Sequence, residues 1–194
     1  ALDAVGEFLG VRFTYEASAE PPLARQAGAL TILFTDMEAS TPMTQRLGDA
    51  RAQTLVREHN TIVREALGNH LGNEIKHTGD GIMASFESPS HAIECAISIQ
   101  RAMAVRSDDA APLRVRIGLH AGEPVAEEQD LFGTAVQLAK RVCDAGNPCD
   151  ILVTNVVREL CAGKGFLFSD RGIADLKGFD EPVRLYEVRW RSDP

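Results

Sequence analysis

Apolar and polar positions alternate along this chain with two different periods. Ala29 to Thr35 is a compact apolar run flanked by Gly28 and Asp36, apolar on both faces as a central strand is. Asp36 falls where that strand ends, followed by Met37-Glu38-Ala39-Ser40-Thr41-Pro42. Met43, Leu47, Leu55, Ile62, Val63, Ala66 and Leu67 then form an imperfect helical stripe. It predicts a helix from about Pro42 to about Leu67, capped by Ser40 or Thr41 and ended by Gly68 and Gly72. Residues 74 to 86 read as two short strands joined by a tight turn, Thr78-Gly79-Asp80-Gly81, of the two-residue hairpin kind. Ile82, Ala84 and Phe86 alternate at period two, as in a half-buried strand, and Lys76 lies on the incoming strand in a segment suited to burial.

Ser88-Pro89 opens a second helix with Ile93, Ala96, Ile97, Met103 and Ala104 on its apolar side. Leu113, Val115, Ile117 and Leu119 alternate with Arg114, Arg116, Gly118 and His120, which predicts a strand with one face in the core. Glu127-Glu128-Gln129-Asp130 reads as part of an irregular solvated loop. Gly133 to about Ala145 is a third helix, with Ala135, Val136, Ala139, Val142 and Cys143 inward. Gln137 and Arg141, four apart, share one of its sides. Short elements follow: a strand at Ile151–Val153, a helix at Asn155–Cys161, a strand piece at Phe166–Phe168 and a last strand at Val183–Trp190. The alternation lacks the regular spacing of βαβ repeats. It predicts an α/β (α+β) fold with a mixed, mostly antiparallel sheet and flanking helices.

With 194 residues the chain suffices for one large domain, or a domain and a tail. Residues 1–28 look unlike the rest, with Pro21-Pro22 breaking their patterns, and are expected to be a connector or the remnant of an upstream domain; 29–194 would be the domain proper. A chain opening on Ala fits a fragment of a longer protein. The net charge of -8 argues against nonspecific nucleic-acid binding and leaves room for a local cationic pocket. Cys95, Cys143, Cys149 and Cys161 have no metal-ligand spacing and read as reduced thiols of a cytoplasmic protein. No apolar run approaches the ~18 residues of a membrane span.

Two carboxylates stand at comparable places: Asp36 at a strand end and Asp80 at a hairpin tip. Taken singly they are an ordinary capping residue and a surface turn. Adjacent strands would bring them together, which is costly unless cations neutralise them. Hard oxygen donors with few His or Cys suit Mg²⁺ or Mn²⁺. The helix start beside Asp36 offers amides to phosphate oxygens.

With these features in hand, the chain resembles the catalytic domain of class III adenylyl and guanylyl cyclases. The matching segments are Phe34-Thr35-Asp36-Met37-Glu38-Ala39-Ser40-Thr41, Lys76-His77-Thr78-Gly79-Asp80-Gly81 and the run from Asp130 to Arg141, with Leu176-Lys177-Gly178 and Val183 to Val188 behind them. The resemblance covers about residues 29–190. It implies a ferredoxin-like core acting as a homodimer, with ATP as substrate and two divalent cations, Mg²⁺ or Mn²⁺, as cofactors. It places Asp36, Met37 and Asp80 at the metals and Glu38, Ala39, Ser40, Thr41 and Lys177 at the phosphates. Arg141 would stabilise charge on the α-phosphate, and Lys76 and Asp130 would read the base. Lys only donates and ionised Asp only accepts, which suits adenine N1 and its 6-amine; guanine reverses both. One departure is Gln137, where the family usually has Asn to orient the ribose; another is a short segment from Gly122 to Asp130. Guanylyl cyclase, a degenerate nucleotide-binding module and a related palm-like domain making a cyclic dinucleotide are the alternatives.

Overall fold

A computed structural model describes residues 28–38, 45, 47–106 and 113–191. The expectation for the N-terminal connector therefore lies outside the described residues, Gly28 apart, as do Ala39, Ser40, Thr41, Pro42 and Met43. The chain runs β1 (Leu30–Met37), α1 (Asp49–Asn69), β2 (Asn73–His77), β3 (Ile82–Phe86), α2 (Pro89–Arg106) and β4 (Val115–Gly122). It continues β5 (Val125–Glu127), β6 (Asp130–Phe132), α3 (Thr134–Asp144), β7 (Ile151–Thr154), α4 (Asn155–Leu160), β8 (Phe168–Ala174) and β9 (Val183–Val188). The main sheet has seven strands in the order β2-β3-β1-β4-β7-β9-β8, and β5 and β6 form a separate hairpin. Among the described residues only β4 and β7 pair in parallel; the other neighbours are antiparallel. This is the mixed, mostly antiparallel α+β sheet with flanking helices expected from the pattern.

The parity of β1 explains how the core is divided. Leu33 and Met37 join Val115, Ile117, Leu119, Ala84 and Phe86 on the face covered by α1 and α2. Ile32 and Phe34 join Met83 on the opposite face, under Val136, Ala139 and Cys143 of α3. A close approach holds α3 down: a Cβ at Gly118 would lie 2.1 Å from the Cys143 amide nitrogen, so only glycine fits there. The four cysteines are free, and Cys95, Cys143 and Cys161 are buried. Burial pushes the Cys143 thiol up to about 12. No helix among the described residues is long and apolar enough to cross a membrane.

Several local expectations are corrected. The first helix does not run through from Pro42: Gln45 and Leu47 are helical, but Gly48 at φ +79° separates them from α1. The 78–81 connection is a four-residue loop closed by the Thr78 amide on the Gly81 carbonyl at 2.9 Å, and only Gly79 takes a positive φ there. β3 is buried along its whole length, packed on one face by α1 and α2 and on the other, at Met83, by Leu131 and α3, so its period-two pattern understated the burial of Met83 and Ser85. β2 is an edge strand with a register shift between Glu74 and Lys76, which leaves Lys76 half-exposed. The acidic stretch before α3 is the β5–β6 hairpin, turned through Glu128 at φ +54°. The piece expected at Phe166–Phe168 starts at Phe168 and continues to Ala174 along β9. Ala104, near the frayed end of α2, is exposed.

Candidate active site

Asp36 shares parity with Ile32 and Phe34, so its side chain falls on the α3 face of the sheet, only 12% exposed. The β1–β4 register places Arg116 directly opposite. Arg116 donates through Nε at 2.7 Å and meets the same Oδ2 with Nη2 at 2.6 Å. Its Nη1 donates to the Asp144 carbonyl at 3.0 Å. Lys140, on the inner side of α3, stands 3.4 Å from the other Asp36 oxygen and 2.8 Å from Asp144 Oδ1. Arg141 Nη1 reaches Asp144 Oδ2 at 3.2 Å. Burial alone would lower the pKa of Lys140, but the Asp144 hydrogen bond and the negative charges nearby hold it above the ordinary value. Arg116 behaves alike: burial opposes its charge, and the Asp36 bond outweighs that.

The loop that carries Asp80 is docked onto the end of β1. The Ile82 amide donates to Thr35 Oγ1 at 2.9 Å, and the Met37 amide donates to the Asp80 carbonyl at 3.2 Å. A Cβ at Gly81 would sit 1.9 Å from the Thr35 carbonyl oxygen, so the loop reaches this depth because residue 81 has none. The two expected carboxylates are thereby brought to one end of β1. Met37 has its side chain buried and its amide engaged, which leaves its carbonyl as the available donor. The Glu38 amide is also taken, by the Arg114 carbonyl at 2.9 Å. Neither the Met37 nor the Glu38 amide is therefore free to meet a phosphate oxygen, and Ala39, Ser40 and Thr41 lie outside the described residues. The exposed Glu38 carboxylate pairs with Arg114 at 3.7 Å.

A second pair lies at the β2 edge. Lys76 Nζ and Asp130 Oδ2 are 2.5 Å apart, and Lys76 stands 5.3 Å above the centre of the Phe132 ring. The Lys76 hydrogen bond, helped by the Leu131 amide, holds the Asp130 carboxyl below its usual range against the opposing effect of burial. Ile75, Lys76, Gln129, Asp130 and Phe132 line a cavity of about 420 Å³ beside this pair, within the size range of small-ligand pockets. Gln137 is exposed on the outer side of α3, and the Arg141 side chain is 40% exposed one turn on. Lys177 is exposed in the turn between β8 and β9, at the sheet edge away from the Asp80 loop. The expected site residues thus comprise one side-chain pair, Lys76 with Asp130, a place at the end of β1 where the Asp80 loop docks beside Asp36, and an outward-facing set.

Sequence reasoning missed Arg116, Lys140, Asp144 and Phe132. The signal for Arg116 was its off-core parity on a strand paired to the one bearing Asp36. Asp36 and Asp80 offer hard oxygens suited to a small hard cation. Among the described residues no group of three or more His, Cys, Asp or Glu could hold a metal ion. Mg²⁺ commonly binds through one or two carboxylates together with substrate phosphates.

Residues 23–189 match a family model described as the adenylate and guanylate cyclase catalytic domain. An uncharacterized protein of Mycobacterium tuberculosis is 33% identical over 155 residues, which are 80% of this chain and 40% of that protein. The chain thus spans less than half the length of this relative. A crystal structure of an adenylate/guanylate cyclase/hydrolase from Silicibacter pomeroyi aligns with a TM-score of 0.73 at 29% identity, covering 82% of this chain and 95% of that one. A structure of adenylate cyclases from Trypanosoma brucei in their monomeric state gives 0.77 at 22% identity, covering 88% and 90%, a likeness of fold.

Proposed function

The chain belongs to the adenylate and guanylate cyclase catalytic-domain family, and we propose that it converts ATP to 3′,5′-cyclic AMP and pyrophosphate at the interface of a homodimer. The Lys76–Asp130 pair carries the choice of nucleotide. A lysine can only donate and an ionised aspartate only accept, which matches adenine N1 and the 6-amine and mismatches guanine at both positions. The pair faces a cavity of about 420 Å³, and Phe132 offers an aromatic edge to it.

In the reaction the ribose 3′-oxygen bonds to the α-phosphorus, the bond from that phosphorus to the pyrophosphate oxygen breaks, and the hydroxyl proton leaves. Two divalent cations, when bound, would neutralise the triphosphate and acidify that hydroxyl. Asp36 and Asp80, with the Met37 carbonyl, would hold them. Arg141 would meet charge building on the α-phosphate, Lys177 the terminal phosphates, and Gln137 the ribose. Gln137, Arg141 and Lys177 face outward on one chain, which supports their service in a partner's site; each chain carries both sets, so a homodimer would hold two equivalent sites. The domain proper is taken as 29–194.

The test is product identity. Purified protein at high concentration is given ATP or GTP with Mn²⁺ or Mg²⁺, beside the Asp80→Ala variant, and products are separated by chromatography. Cyclic AMP from the parent alone is expected. Cyclic GMP in its place would overturn the base-reading argument, and full turnover by Asp80→Ala would overturn the metal assignment.

A further inference from the structure

We propose that Lys140 is a displaceable counter-ion: it covers one oxygen of Asp36 in the cation-free protein and withdraws onto Asp144 when a divalent cation takes that oxygen. The inference rests on the proposed role of Asp36 as a metal ligand.

The two cations at Asp36 are held very differently. Arg116 meets Oδ2 with two nitrogens and is tied on its far side to the Asp144 carbonyl at 3.0 Å, so its planar fork is fixed. Lys140 meets Oδ1 at a loose 3.4 Å, while its shorter contact, 2.8 Å, is to Asp144 one helical turn on. An ammonium on a four-carbon stem can rotate between two acceptors where a guanidinium fork cannot. Oδ1 is thus the oxygen an incoming cation can win, and Asp144 is a second seat already in contact. A divalent cation and an ammonium on one carboxylate oxygen repel, so they exclude each other. Arg116 holds Oδ2 in either state, and Lys140 covers Oδ1 of this nearly buried carboxylate while no metal is present. The consequence is a site whose cation affinity is set below what Asp36 and Asp80 alone would give.

The experiment measures Mn²⁺ binding to the whole, nucleotide-free chain by water-proton relaxation. Lys140→Met keeps the packed stem and removes the charge; Lys140→Gln serves as the second variant should the first not fold. Arg141→Met makes the same charge change on the next residue, which pairs with Asp144 and does not contact Asp36. Lys140→Met is expected to lower the Mn²⁺ dissociation constant about three- to tenfold, and Arg141→Met to leave it within about twofold. An unchanged or weaker constant for Lys140→Met, or equal tightening by Arg141→Met, would overturn the proposal. Asp36→Asn separates the two levels: if it binds Mn²⁺ like the parent, the metal assignment itself fails, whereas loss of binding there with no change at Lys140→Met sinks only the counter-ion.

Discussion

Replacing Gly81 with alanine puts the geometry of the Asp80 loop to a direct test. The added Cβ would lie 1.9 Å from the Thr35 carbonyl oxygen and 2.9 Å from its carbon, both backbone atoms. β1 is paired on both sides, to β3 and β4, so it cannot give way. The loop must therefore retreat by roughly 1 Å or more to reach van der Waals distance. That retreat breaks the Ile82 amide bond to Thr35 Oγ1 at 2.9 Å and the Met37 amide bond to the Asp80 carbonyl at 3.2 Å. At ~1 kcal/mol per bond, plus the desolvation of a buried amide left without an acceptor, the loss is about 2–4 kcal/mol. Asp80 moves with the loop, and a misplacement near 1 Å costs about a hundredfold in rate. Gly79→Ala is the control: it has φ +93° but open space around its Cβ, so it adds ~1–2 kcal/mol of backbone strain without moving the loop. Urea unfolding and steady-state cyclase activity with Mn²⁺ read the two effects. A folded Gly81→Ala protein with parental turnover, or a Gly79→Ala protein equally damaged, would refute the docking argument.

Three further outcomes are expected. Lys76→Glu combined with Asp130→Asn reverses the donor and acceptor pattern at the β2 edge, so ATP turnover should fall about a hundredfold and the GTP-to-ATP ratio should rise; an unchanged ratio by product chromatography would count against the base-reading pair. His120, whose Nδ1 lies 2.9 Å from Thr154 Oγ1, is held down to about 4 by burial. Its folded pKa lies below the unfolded value of about 6.5, so its contribution is intact above pH ~6.5 and is lost as pH falls towards the folded value. Allowing for partial solvent access, the loss is roughly 1–2 kcal/mol; urea midpoints at high and low pH should converge in His120→Gln, and an unaltered slope would refute this. Gln137→Asn should raise kcat with little change in KM, because the shorter amide alters orientation rather than binding; a fall in kcat would show that the site is adjusted to Gln.

Periodicity located the strands and helices because each is buried against something with its own period. It could not show how deeply: β3 alternates Ile82, Ala84 and Phe86 with Met83 and Ser85, and only the fold shows that Met83 meets Leu131 and α3 while Ala84 and Phe86 meet α1 and α2. The hairpin at residues 78–81 was legible from its glycines, but the two have different reasons. Gly79 is required by its positive φ, and Gly81 by a contact with Thr35, far away in sequence. The Glu127–Asp130 run looked like a solvated loop because three-residue strands are too short to show a period; they became visible only through the Val125–Phe132 pairing.

The candidate site divides along the same line. Lys76 stood out locally, in a segment suited to burial; Asp36 and Asp80, ordinary singly, stood out by their comparable places, and Asp130 only through the resemblance to the cyclase family. Arg116, Lys140 and Asp144 did not, since a charged residue on a strand's outer face or an amphipathic helix is locally ordinary. They acquire meaning through register: β1 and β4 pair Asp36 with Arg116, and the close seat of α3 on Gly118 brings Lys140 to the same carboxylate. An aspartate 12% exposed must be paired in any state of the protein. Arg116 meets that need at Oδ2, so a metal that takes Oδ1 has only to displace the residue covering that oxygen, and that residue must have somewhere to go. Arg116 has no slack, being bonded at both ends, while Lys140 already touches Asp144. With Asp36 as the metal ligand proposed above, Lys140 is therefore the side chain that a metal has to displace.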